Sequence, residues 1–408
     1  MNEIIINGGL PLFGVLEPQG SKNAALPIIF ATLITRGTSV ITGVPDIGDV
    51  RIAIKLIEAY GAVVDRVGNT LTVNTENAKY TRPPRSLTSS IRASSYLIGA
   101  SLSRFGIFHL SEFGGCNFCN RPTDMHIACS KALGAREENG ALVTASGLKG
   151  AHVVFDKISV GATINALIMS AAADGITVIE GVAKEPHVKA LVDFLLSAGA
   201  KIFEDENRFV VEGASLHGGR THVIGDMIEA GTYLLMAPVT GGSITVKGAA
   251  ALGLESFLTA LTESGVCVCV DGNDVTVCGT PDKPISIRTA PYPGYPTDLQ
   301  PQIAPLMAAY CGGKIEETVW QNRFSYLDCL ASFELLHSSS SSFAEIYPSK
   351  LIAASVSVPD LRGGAAALIC ALAAKGESKI KNAELISRGY SNVVDKLTML
   401  GAEVYYKE

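Results

Sequence analysis

The sequence is poor in aromatic residues and has no excess of positive charge. Only 7% of the 408 residues are Phe, Trp or Tyr, one tryptophan is present, and the formal net charge is −6 at pH 7. A nucleic-acid groove typically combines a basic face with aromatic side chains that stack on bases. The composition therefore argues against a nucleic-acid partner, and the negative charge does not favour an anionic membrane surface.

Long apolar runs and a basic leader are also missing. No run of 18 or more apolar residues occurs, and residues 1–6 contain no lysine or arginine. Neither a membrane-spanning segment nor a targeting leader is predicted. The nine cysteines are an odd number scattered along the chain, which favours reduced thiols over a disulfide framework. We therefore expect a cytoplasmic location.

Apolar residues and glycine, in contrast, are plentiful. Hydrophobic residues make up 47% of the chain, 41 residues are glycine, and the mean hydropathy is +0.29. This composition excludes a disordered chain, because enough apolar surface is present to form a large core. At ~150 residues per domain, the length corresponds to about two domains.

A glycine followed by a strand-like segment recurs six times, at intervals of 63 to 71 residues. The six glycines are Gly37, Gly106, Gly175, Gly242, Gly313 and Gly376. An apolar helix-like stretch precedes each one, and most repeats continue with a second helix that ends at a glycine and then a strand–turn–strand. The pattern predicts six helix–strand–helix–hairpin modules, three per domain. The period is longer than the ~20–50 residues of solenoid repeats.

The fifth repeat departs from this pattern. No glycine ends its second helix near residue 333, and five serines follow at residues 338–342. A polar serine run of this kind predicts a flexible surface loop.

Basic residues stand at or near the starts of several predicted first helices. These residues are Lys22, Arg92, Lys157 and Arg362. A cation at a helix N-terminus costs up to ~1 kcal/mol unless an anion is also bound there. The pattern predicts a polyanionic ligand where helix starts converge, although each side chain could instead simply extend into solvent. Residues 159–163 are the clearest case, because small residues let backbone amides approach a diphosphate; the segment lacks the Gly-Lys-Ser/Thr ending of a P-loop.

Cys116 lies in a polar, glycine-rich segment. Two glycines precede it and Arg121 follows five residues later, an arrangement that favours a reactive thiolate. A buried, inert thiol fits such a polar segment poorly. A redox Cys-x-x-Cys pair would need a helix start at the first thiol.

A metal site is the remaining alternative for this segment. Its ligands would be Cys116, Cys119, His126 and Cys129. Their spacing matches no zinc pattern.

The pattern Gly-Gly-Cys, four residues, then Arg-Pro-x-Asp-x-His resembles the catalytic loop of the UDP-N-acetylglucosamine 1-carboxyvinyltransferases, which are enolpyruvyl transferases. The likeness extends over nearly the whole chain. The matching segments are residues 21–27, 92–94, 157–163, 229–232, 295–300, 322–324, 360–362 and 388–390. Their order and spacing together are highly specific.

The resemblance implies an α/β fold, the two-domain inside-out α/β barrel of enolpyruvyl transferases, built from the six repeats. The first domain would comprise residues 1–20 and 227–408, so that both chain ends contribute to it. The second would comprise residues 21–226 and carry the cysteine loop, residues 112–126. Ligand is expected to close a cleft between the domains.

The activity implied by the resemblance is transfer of the enolpyruvyl group of phosphoenolpyruvate to the 3-hydroxyl of UDP-N-acetylglucosamine. Phosphate leaves by addition–elimination, in the first committed step of peptidoglycan synthesis. No metal or organic cofactor is expected, and the oligomeric state is left open. One alternative is a divergent, weakly active or inactive paralogue that binds the nucleotide sugar. Another is a 3-phosphoshikimate enolpyruvyl transferase, a family without the cysteine loop.

The catalytic residues that the resemblance implies are Cys116, Asp298, Lys22 and Arg388. Cys116 would protonate C3 of phosphoenolpyruvate and add to C2, and Asp298 would be the base; Asp298 could otherwise be a helix N-cap before residues 299–309. Lys22, Arg121 and Arg388 would bind the phosphate and carboxylate of phosphoenolpyruvate. The other implied substrate-binding residues are Asn23, Arg92, Pro122, Thr123, Asp124, Met125, His126, Lys157, Ser159, Val160, Gly161, Arg323, Asp360 and Arg362.

Several positions depart from the family pattern, which keeps the divergent-paralogue alternative open. They are Tyr96, Cys119, Asn120, Ile164, Met227 and most of residues 325–357.

Overall fold

A computed structural model describes residues 3–110, 113–114 and 122–407. The α-helices in these residues are α1 (Lys22–Ala31), α2 (Gly48–Ala59), α3 (Arg85–Thr88), α4 (Leu97–Phe105), α5 (Asp124–Ala132), α6 (Val160–Ala171), α7 (Pro186–Ser197), α8 (Met227–Thr240), α9 (Glu255–Glu263), α10 (Gln300–Ala309), α11 (Tyr326–Leu330), α12 (Leu361–Ala373) and α13 (Val393–Met399). Short 3-10 helices span Thr32–Ile34, Arg92–Tyr96, Ala249–Ala251, Arg323–Ser325, Ala331–Phe333 and Ala383–Leu385.

The strands of the same residues form six sheets. They are β1 (Glu3–Gly8), β2 (Phe13–Leu16), β3 (Thr38–Thr42), β4 (Val63–Val67), β5 (Thr70–Asn74), β6 (Ile107–His109), β7 (Arg136–Glu138), β8 (Ala141–Val143), β9 (His152–Val154), β10 (Ile176–Glu180), β11 (Lys201–Asp205), β12 (Arg208–Glu212), β13 (Arg220–His222), β14 (Ser243–Val246), β15 (Cys267–Asp271), β16 (Asp274–Cys278), β17 (Ile285–Arg288), β18 (Gly313–Glu316), β19 (Leu336–Ser339), β20 (Phe343–Tyr347), β21 (Ser355–Ser357), β22 (Gly376–Lys381) and β23 (Glu403–Lys407).

The described residues separate into two compact units. The terminal unit contains residues 3–19 and 225–407, and the central unit contains residues 20–110, 113–114 and 122–224. Among the described residues, the chain passes directly from one unit to the other at residues 19–20 and 224–225. The domain boundaries expected from the sequence stay a prediction about folding domains.

The predicted helix–strand–helix–hairpin repeat is confirmed in both units. In the first repeat α1, β3 and α2 are followed by the β4–β5 hairpin, whose strand β5 pairs antiparallel with β3. In five of the six sheets a strand from elsewhere in the same unit adds in parallel, for example β13 to β3 and β2 to β14. The sheet of the second repeat has three strands among the described residues, in the order β6-β8-β7.

The sixth repeat is completed by the first strand of the chain. Strand β1 lies between β22 and β23 and pairs antiparallel with both, so that Ile4 faces Ile380 on one side and Tyr406 on the other. In the other repeats, the second strand of the local hairpin occupies this place. The terminal unit is therefore built from both ends of the described chain.

The first helix of each repeat lies inside its unit. In the terminal unit α8, α10 and α12 pack against one another, and nearly all their side chains are buried. Burial on all sides explains why these segments are apolar around their whole circumference rather than along one stripe. The three helices meet near their starts. Gln302 of α10 donates to Thr232 of α8 at 3.4 Å, and the Tyr390 hydroxyl hydrogen-bonds both Thr232 and Arg362 of α12.

The fifth repeat contains a hairpin where the sequence predicted a flexible loop, and that prediction is wrong. Ser338 and Ser339 belong to β19, and the remaining serines form the turn into β20. The Ser340 N–H donates to the Phe343 carbonyl at 2.7 Å. Alternate residues of β20, Ala344 and Ile346, are buried, so burial of one face fixes the strand despite the polar serines.

Glu334 takes the place of the glycine that ends the second helix in the other repeats. It follows the 3-10 helix Ala331–Phe333 and has φ 60° and ψ 25°, the left-handed conformation. The corresponding glycines have φ between 85° and 98°. The fifth repeat therefore keeps the left-handed backbone conformation of the other repeats, although it has no glycine at this position. A side chain in this conformation costs roughly 1–2 kcal/mol.

Replacing Glu334 with glycine is expected to stabilise the protein. The side chain is exposed, so its removal loses little packing, while glycine relieves the left-handed strain by up to about 1 kcal/mol. The measurement is the denaturant midpoint of unfolding. Glu334→Ala is the matched control, because it removes the same side chain but keeps the Cβ atom. An equal rise in both variants would contradict the backbone explanation.

Candidate active site

Asp298 of the terminal unit is held between two buried guanidinium groups. Arg323 Nη2 donates to Asp298 Oδ1 at 2.7 Å, and Arg362 donates to Oδ2 through Nη2 at 2.9 Å and Nε at 3.2 Å. The Arg323 and Arg362 side chains are 4% and 7% exposed, whereas that of Asp298 is 30% exposed. The carboxylate is therefore firmly oriented and still accessible from solvent.

The two arginines are placed by short helical segments. Arg362 is the second residue of α12, whose N-cap Asp360 accepts from the backbone N–H groups of Arg362 and Gly363, both at 2.9 Å. Burial alone would lower the pKa of Arg362, but attraction to Asp298 raises it overall. Arg323 begins the 3-10 helix after Asn322, which has φ 58°. Asp360 thus fixes the start of α12 and with it Arg362, and its expected contact with substrate stays a prediction.

The alternative assignment of Asp298 as a helix N-cap is wrong. Helix α10 begins at Gln300 and its N-cap is Leu299, without a capping side chain. The Asp298 carboxylate turns instead to the two guanidinium groups, because these add the attraction of opposite charges and paired N–H donors to the hydrogen bonding that a backbone N–H could offer.

Tyr390 extends this cluster between the helix starts. Its hydroxyl accepts from Arg362 Nη1 at 3.3 Å and shares a hydrogen bond of 2.9 Å with Thr232. Burial raises the pKa of Tyr390, so the phenol keeps its proton. Arg388 lies two residues earlier, half-buried, between the 3-10 helix Ala383–Leu385 and α13. The sequence included Tyr390 in a family segment, but the part played by its hydroxyl was missed.

In the central unit, Lys22 forms an ion pair that the sequence did not predict. Lys22 is the first residue of α1, and its Nζ lies 3.3 Å from Asp49 Oδ2 at the start of α2. Both side chains are largely buried, with 15% and 5% exposure. Ser21 caps α1 by accepting from the Ala24 N–H, and the next site residue, Asn23, is half-buried. A buried acidic partner orients the ammonium group of Lys22.

Arg92 lies against the described edges of the cysteine loop. It begins the 3-10 helix Arg92–Tyr96, and its Nη2 donates to the Pro122 carbonyl at 3.3 Å. Its guanidinium also lies 6.0 Å from the centre of the Phe113 ring. Cys116 and Arg121, the two residues of this loop with the most important expected roles, lie outside the described residues. Two of the four ligands of the suggested Cys116–Cys119–His126–Cys129 metal site, Cys116 and Cys119, therefore also lie outside the described residues.

Helix α5 brings His126 beneath the start of α6. Thr123 is the N-cap of α5, Asp124 is exposed and Met125 half-buried, while His126 is 5% exposed. Asn165 Nδ2 donates to His126 Nδ1 at 2.7 Å; the amide is fixed in this sense because Gly99 N–H donates to its Oδ1. Burial, followed by the nearby Arg92 charge, lowers the pKa of His126 to about 4. His126 is therefore a neutral ring.

The start of α6 lies next to this ring and is partly exposed. Ser159 is the N-cap and accepts from the Ala162 N–H at 3.3 Å, and Val160 and Gly161 form the first turn. A Cβ atom on Gly161 would lie 3.1 Å from the His126 ring, so glycine lets the helix start approach the histidine. Lys157 is exposed in the preceding loop. These residues present backbone amides next to a cation, as an anion site requires.

The lowered pKa of His126 predicts acid sensitivity. The folded protein holds the ring neutral down to about pH 4, whereas an unfolded histidine takes up a proton near its ordinary value of ~6.5. Stability is thus fully present above pH 6.5 and is lost as the pH falls toward 4, by about 3 kcal/mol in total. His126→Gln should flatten this part of the stability–pH curve measured by denaturation. The exposed His217 provides the control His217→Gln, which should leave the curve unchanged; equal curves for both variants would contradict the assignment.

The described residues contain neither a helix fit to span a membrane nor a cluster fit to bind a metal ion. None of their helices combines the length and apolar character needed to cross a bilayer. Their His, Cys, Asp and Glu side chains include no group of three or more arranged to hold a metal ion.

The sequence matches the family described as EPSP synthase (3-phosphoshikimate 1-carboxyvinyltransferase) over residues 6–397. The structure is similar to the enolpyruvyl transferase NikO from Streptomyces tendae, with a TM-score of 0.88 and 25% identity over 100% of this chain and 99% of NikO. An EPSP synthase from Acinetobacter baumannii shares the fold, with a TM-score of 0.71 at 16% identity over the full length of both chains. Fold and sequence together define an enolpyruvyl transferase of two-domain α/β type.

Relatives in sequence narrow the class. The chain is 39% identical to UDP-N-acetylglucosamine 1-carboxyvinyltransferase 3 of Caldanaerobacter subterraneus subsp. tengcongensis, over 99% of both chains. It is 38% identical to UDP-N-acetylglucosamine 1-carboxyvinyltransferase 2 of Streptococcus thermophilus, again over 99% of both. The chain therefore belongs to the UDP-N-acetylglucosamine 1-carboxyvinyltransferase family, and the resemblance noted in the sequence is confirmed.

Proposed function

We propose that this protein transfers the enolpyruvyl group of phosphoenolpyruvate to the 3-hydroxyl of UDP-N-acetylglucosamine and releases phosphate. The observation that carries the proposal is the full-length match, at 37–39% identity, to relatives that bear the name of this activity. The reaction is the first committed step of peptidoglycan synthesis and so serves cell-wall formation, cell shape and division. A cytoplasmic location follows from the odd number of scattered cysteines.

In the proposed reaction, Asp298 accepts the proton of the sugar hydroxyl. A carboxylate is too weak a base to ionise an alcohol outright, but the alcohol becomes acidic as its oxygen bonds to a cationic carbon. That carbon is C2 of phosphoenolpyruvate once C3 has been protonated. Arg323 and Arg362 hold both Asp298 oxygens, so the base is oriented before substrate arrives.

Cys116 supplies the proton to C3 in this proposal, and its sulfur is the thiol that adds to C2. The C2–S bond breaks again, with the electron pair returning to sulfur, as the sugar oxygen bonds to C2. Elimination then transfers a proton from C3 to the Cys116 thiolate and expels phosphate, so that the double bond of the enolpyruvyl group, now on the sugar oxygen, is restored. Lys22, Arg121 and Arg388 carry positive charge for the phosphate and carboxylate of phosphoenolpyruvate, with Arg92 in support. Asp49 orients Lys22 through the 3.3 Å ion pair.

The start of α6 is the proposed site for the uridine diphosphate group. Ser159, Val160 and Gly161 offer the first-turn amides, and Lys157 adds a flexible cation. Residues 122–126 line the same side, with neutral His126 supporting the close approach at Gly161. Asn23 supplies a hydrogen-bonding amide for the sugar.

Phosphate release from phosphoenolpyruvate and UDP-N-acetylglucosamine tests the proposal directly. Release is expected only when both compounds are present, together with an enolpyruvyl-sugar product of matching amount. Substitution of 3-phosphoshikimate for the nucleotide sugar is the control. Release from phosphoenolpyruvate with 3-phosphoshikimate, but not with UDP-N-acetylglucosamine, would assign the protein to the other activity of this fold. No release, with nucleotide-sugar binding retained, would identify an inactive paralogue.

A further inference from the structure

Gln19 is the last residue of the terminal unit before the chain first crosses to the central unit, and both its backbone and its side chain are fully engaged. Its backbone N–H donates to Glu229 Oε2 at 2.6 Å, and its carbonyl accepts from the Asp226 N–H at 2.8 Å. Its side-chain Nε2 donates to the Gly389 carbonyl at 2.7 Å. Its Oε1 accepts from the Ser391 N–H at 2.7 Å and hydroxyl at 2.6 Å.

These hydrogen bonds hold the backbone on both sides of Tyr390. A glutamine amide suits this task because it carries a donor and an acceptor together, and here it pairs with one carbonyl and one N–H of an irregular segment. Tyr390 contacts Arg362, which orients Asp298. Arg388 directly precedes the held carbonyl at Gly389. The amide of Gln19 therefore fixes the backbone that carries two groups of the proposed site.

The opposite side of Gln19 rests on a buried ion pair. Lys396 Nζ lies 2.6 Å from Glu229 Oε1, and the Glu229 side chain is 1% exposed. Burial raises the pKa of Glu229 to about 7 against the opposing effect of Lys396. Asp226, which caps α8, is the second residue after the crossing at residues 224–225. Gln19 thus joins both crossing points and the 388–391 backbone in one cluster.

We propose that Gln19 is a positioning residue for the enolpyruvyl transfer: it sets the place of Arg388 and Tyr390 and thereby the binding of phosphoenolpyruvate. The inference rests on the proposed function. It assigns Gln19 no contact with substrate, since it acts through the backbone of Gly389 and Ser391.

Gln19→Ala provides the test. The variant keeps the backbone hydrogen bonds of residue 19 and loses those of the amide, so the KM for phosphoenolpyruvate should rise about tenfold or more. The KM for UDP-N-acetylglucosamine should change little. Amide hydrogen exchange in a peptide that spans residues 386–393 should become faster, because the Ser391 N–H loses its acceptor.

Thr398→Ala is the matched control, since it removes a side-chain hydrogen bond on α13 of the same unit without touching residues 388–391. In the double variant, Ser391→Ala should raise the KM for phosphoenolpyruvate by a smaller factor than it does alone. The reason is that the Gln19 and Ser391 side chains share one hydrogen bond, which Gln19→Ala has already removed. Faster exchange without the selective change in KM would overturn the positioning role. The exchange result does not depend on turnover, so an inactive wild-type protein would reject the proposed function while leaving the structural link measurable.

A second, independent observation concerns three thiols on the β15–β16 hairpin. Cys267 and Cys278 are directly opposed in the antiparallel register, and a hydrogen bond with Cys267 raises the pKa of the Cys278 thiol. Cys269 is two residues along β15 and therefore on the same face. Cys267 and Cys269 are exposed and Cys278 is half-buried.

We infer that Cys267 and Cys278 form a disulfide when they meet an oxidised low-molecular-weight thiol such as glutathione disulfide. Opposed residues of an antiparallel pair have Cα atoms about 4.5–5.5 Å apart, within the ~4.4–6.8 Å span of disulfides. The exposed Cys267 thiolate attacks the oxidant and releases one glutathione thiolate. The Cys278 thiolate then displaces the second glutathione, so that two protein thiols are oxidised and one glutathione disulfide is reduced.

Peptide mapping without reductant, after treatment with glutathione disulfide, tests this inference. The expected product is a peptide linked between Cys267 and Cys278, with loss of two free thiols. Cys267→Ser and Cys278→Ser should each abolish it, whereas Cys311→Ser, elsewhere in the same unit, should not. Stable glutathione adducts on separate cysteines, or a bond that includes Cys269 instead, would overturn the assignment.

Discussion

Asp298→Asn is expected to slow phosphate release by about 10²- to 10⁴-fold, the usual contribution of a positioned acid or base. The amide keeps one oxygen that can accept from Arg323 or Arg362, so the site should still assemble. UDP-N-acetylglucosamine and phosphoenolpyruvate should both still bind, because Asp298 is proposed to act on the hydroxyl proton rather than on the anionic groups. Steady-state phosphate release and equilibrium binding of each substrate provide the measurement.

Asp271→Asn is the matched control, since Asp271 is exposed at the tip of the β15–β16 hairpin. This variant should turn over like the wild type. Unchanged turnover in Asp298→Asn would remove Asp298 as the base. Loss of both turnover and substrate binding, with a lowered unfolding midpoint, would assign Asp298 a purely structural part.

Arg362→Met should produce the largest loss of stability. Methionine has similar length but no charge, so Asp298 would lose its ion pair with Arg362 while that with Arg323 remains, and the Tyr390 hydroxyl would lose a donor. Removing one member of a buried pair typically costs about 3–5 kcal/mol. Because Asp298 is 30% exposed, we expect about 3 kcal/mol, at the lower end. Urea unfolding measures it.

The control for this variant is Arg288→Met, which breaks the 3.4 Å pair with Glu316 on a sheet of the same unit. Those side chains are 70% and 51% exposed, so the change should stay below about 1 kcal/mol. Equal losses in the two variants would show that burial does not distinguish them. Of these two variants, only Arg362→Met should lower phosphate release, because Arg362 orients Asp298 and Arg288 does not contact it.

Much of the fold could be predicted because the same short pattern of helix, strand, helix and hairpin repeats along the sequence. Apolar inner helices, glycine stops and alternating strands recur at a nearly constant interval, and each is a short-range signal. The fifth repeat escaped prediction because Glu334 adopts the left-handed conformation without glycine. Ser338 and Ser339 adopted a strand because β19 pairs with β20, and β20 in turn pairs with β18 and buries alternate residues, which outweighed a local preference.

The candidate site was predictable to a smaller degree. Family motifs identified Asp298, Arg323 and Arg362, which are far apart in sequence. In the structure, Asp298 lies within hydrogen-bonding distance of both arginines. Asp49 and Gln19 were missed, because neither residue stands in a recognisable pattern and their contacts join segments 27 to 372 residues apart. Such pairings depend on tertiary packing, for which a single sequence carries no local signal.

The position of β1 has a consequence for synthesis on the ribosome. Ile4 is made long before its partners Ile380 and Tyr406. Strand β1 must therefore wait, without either neighbour in its sheet, until β22 and β23 have been translated. The central unit does not have to wait in this way. Its residues lie between 20 and 224, so they can form their core while the rest of the terminal unit is still being translated.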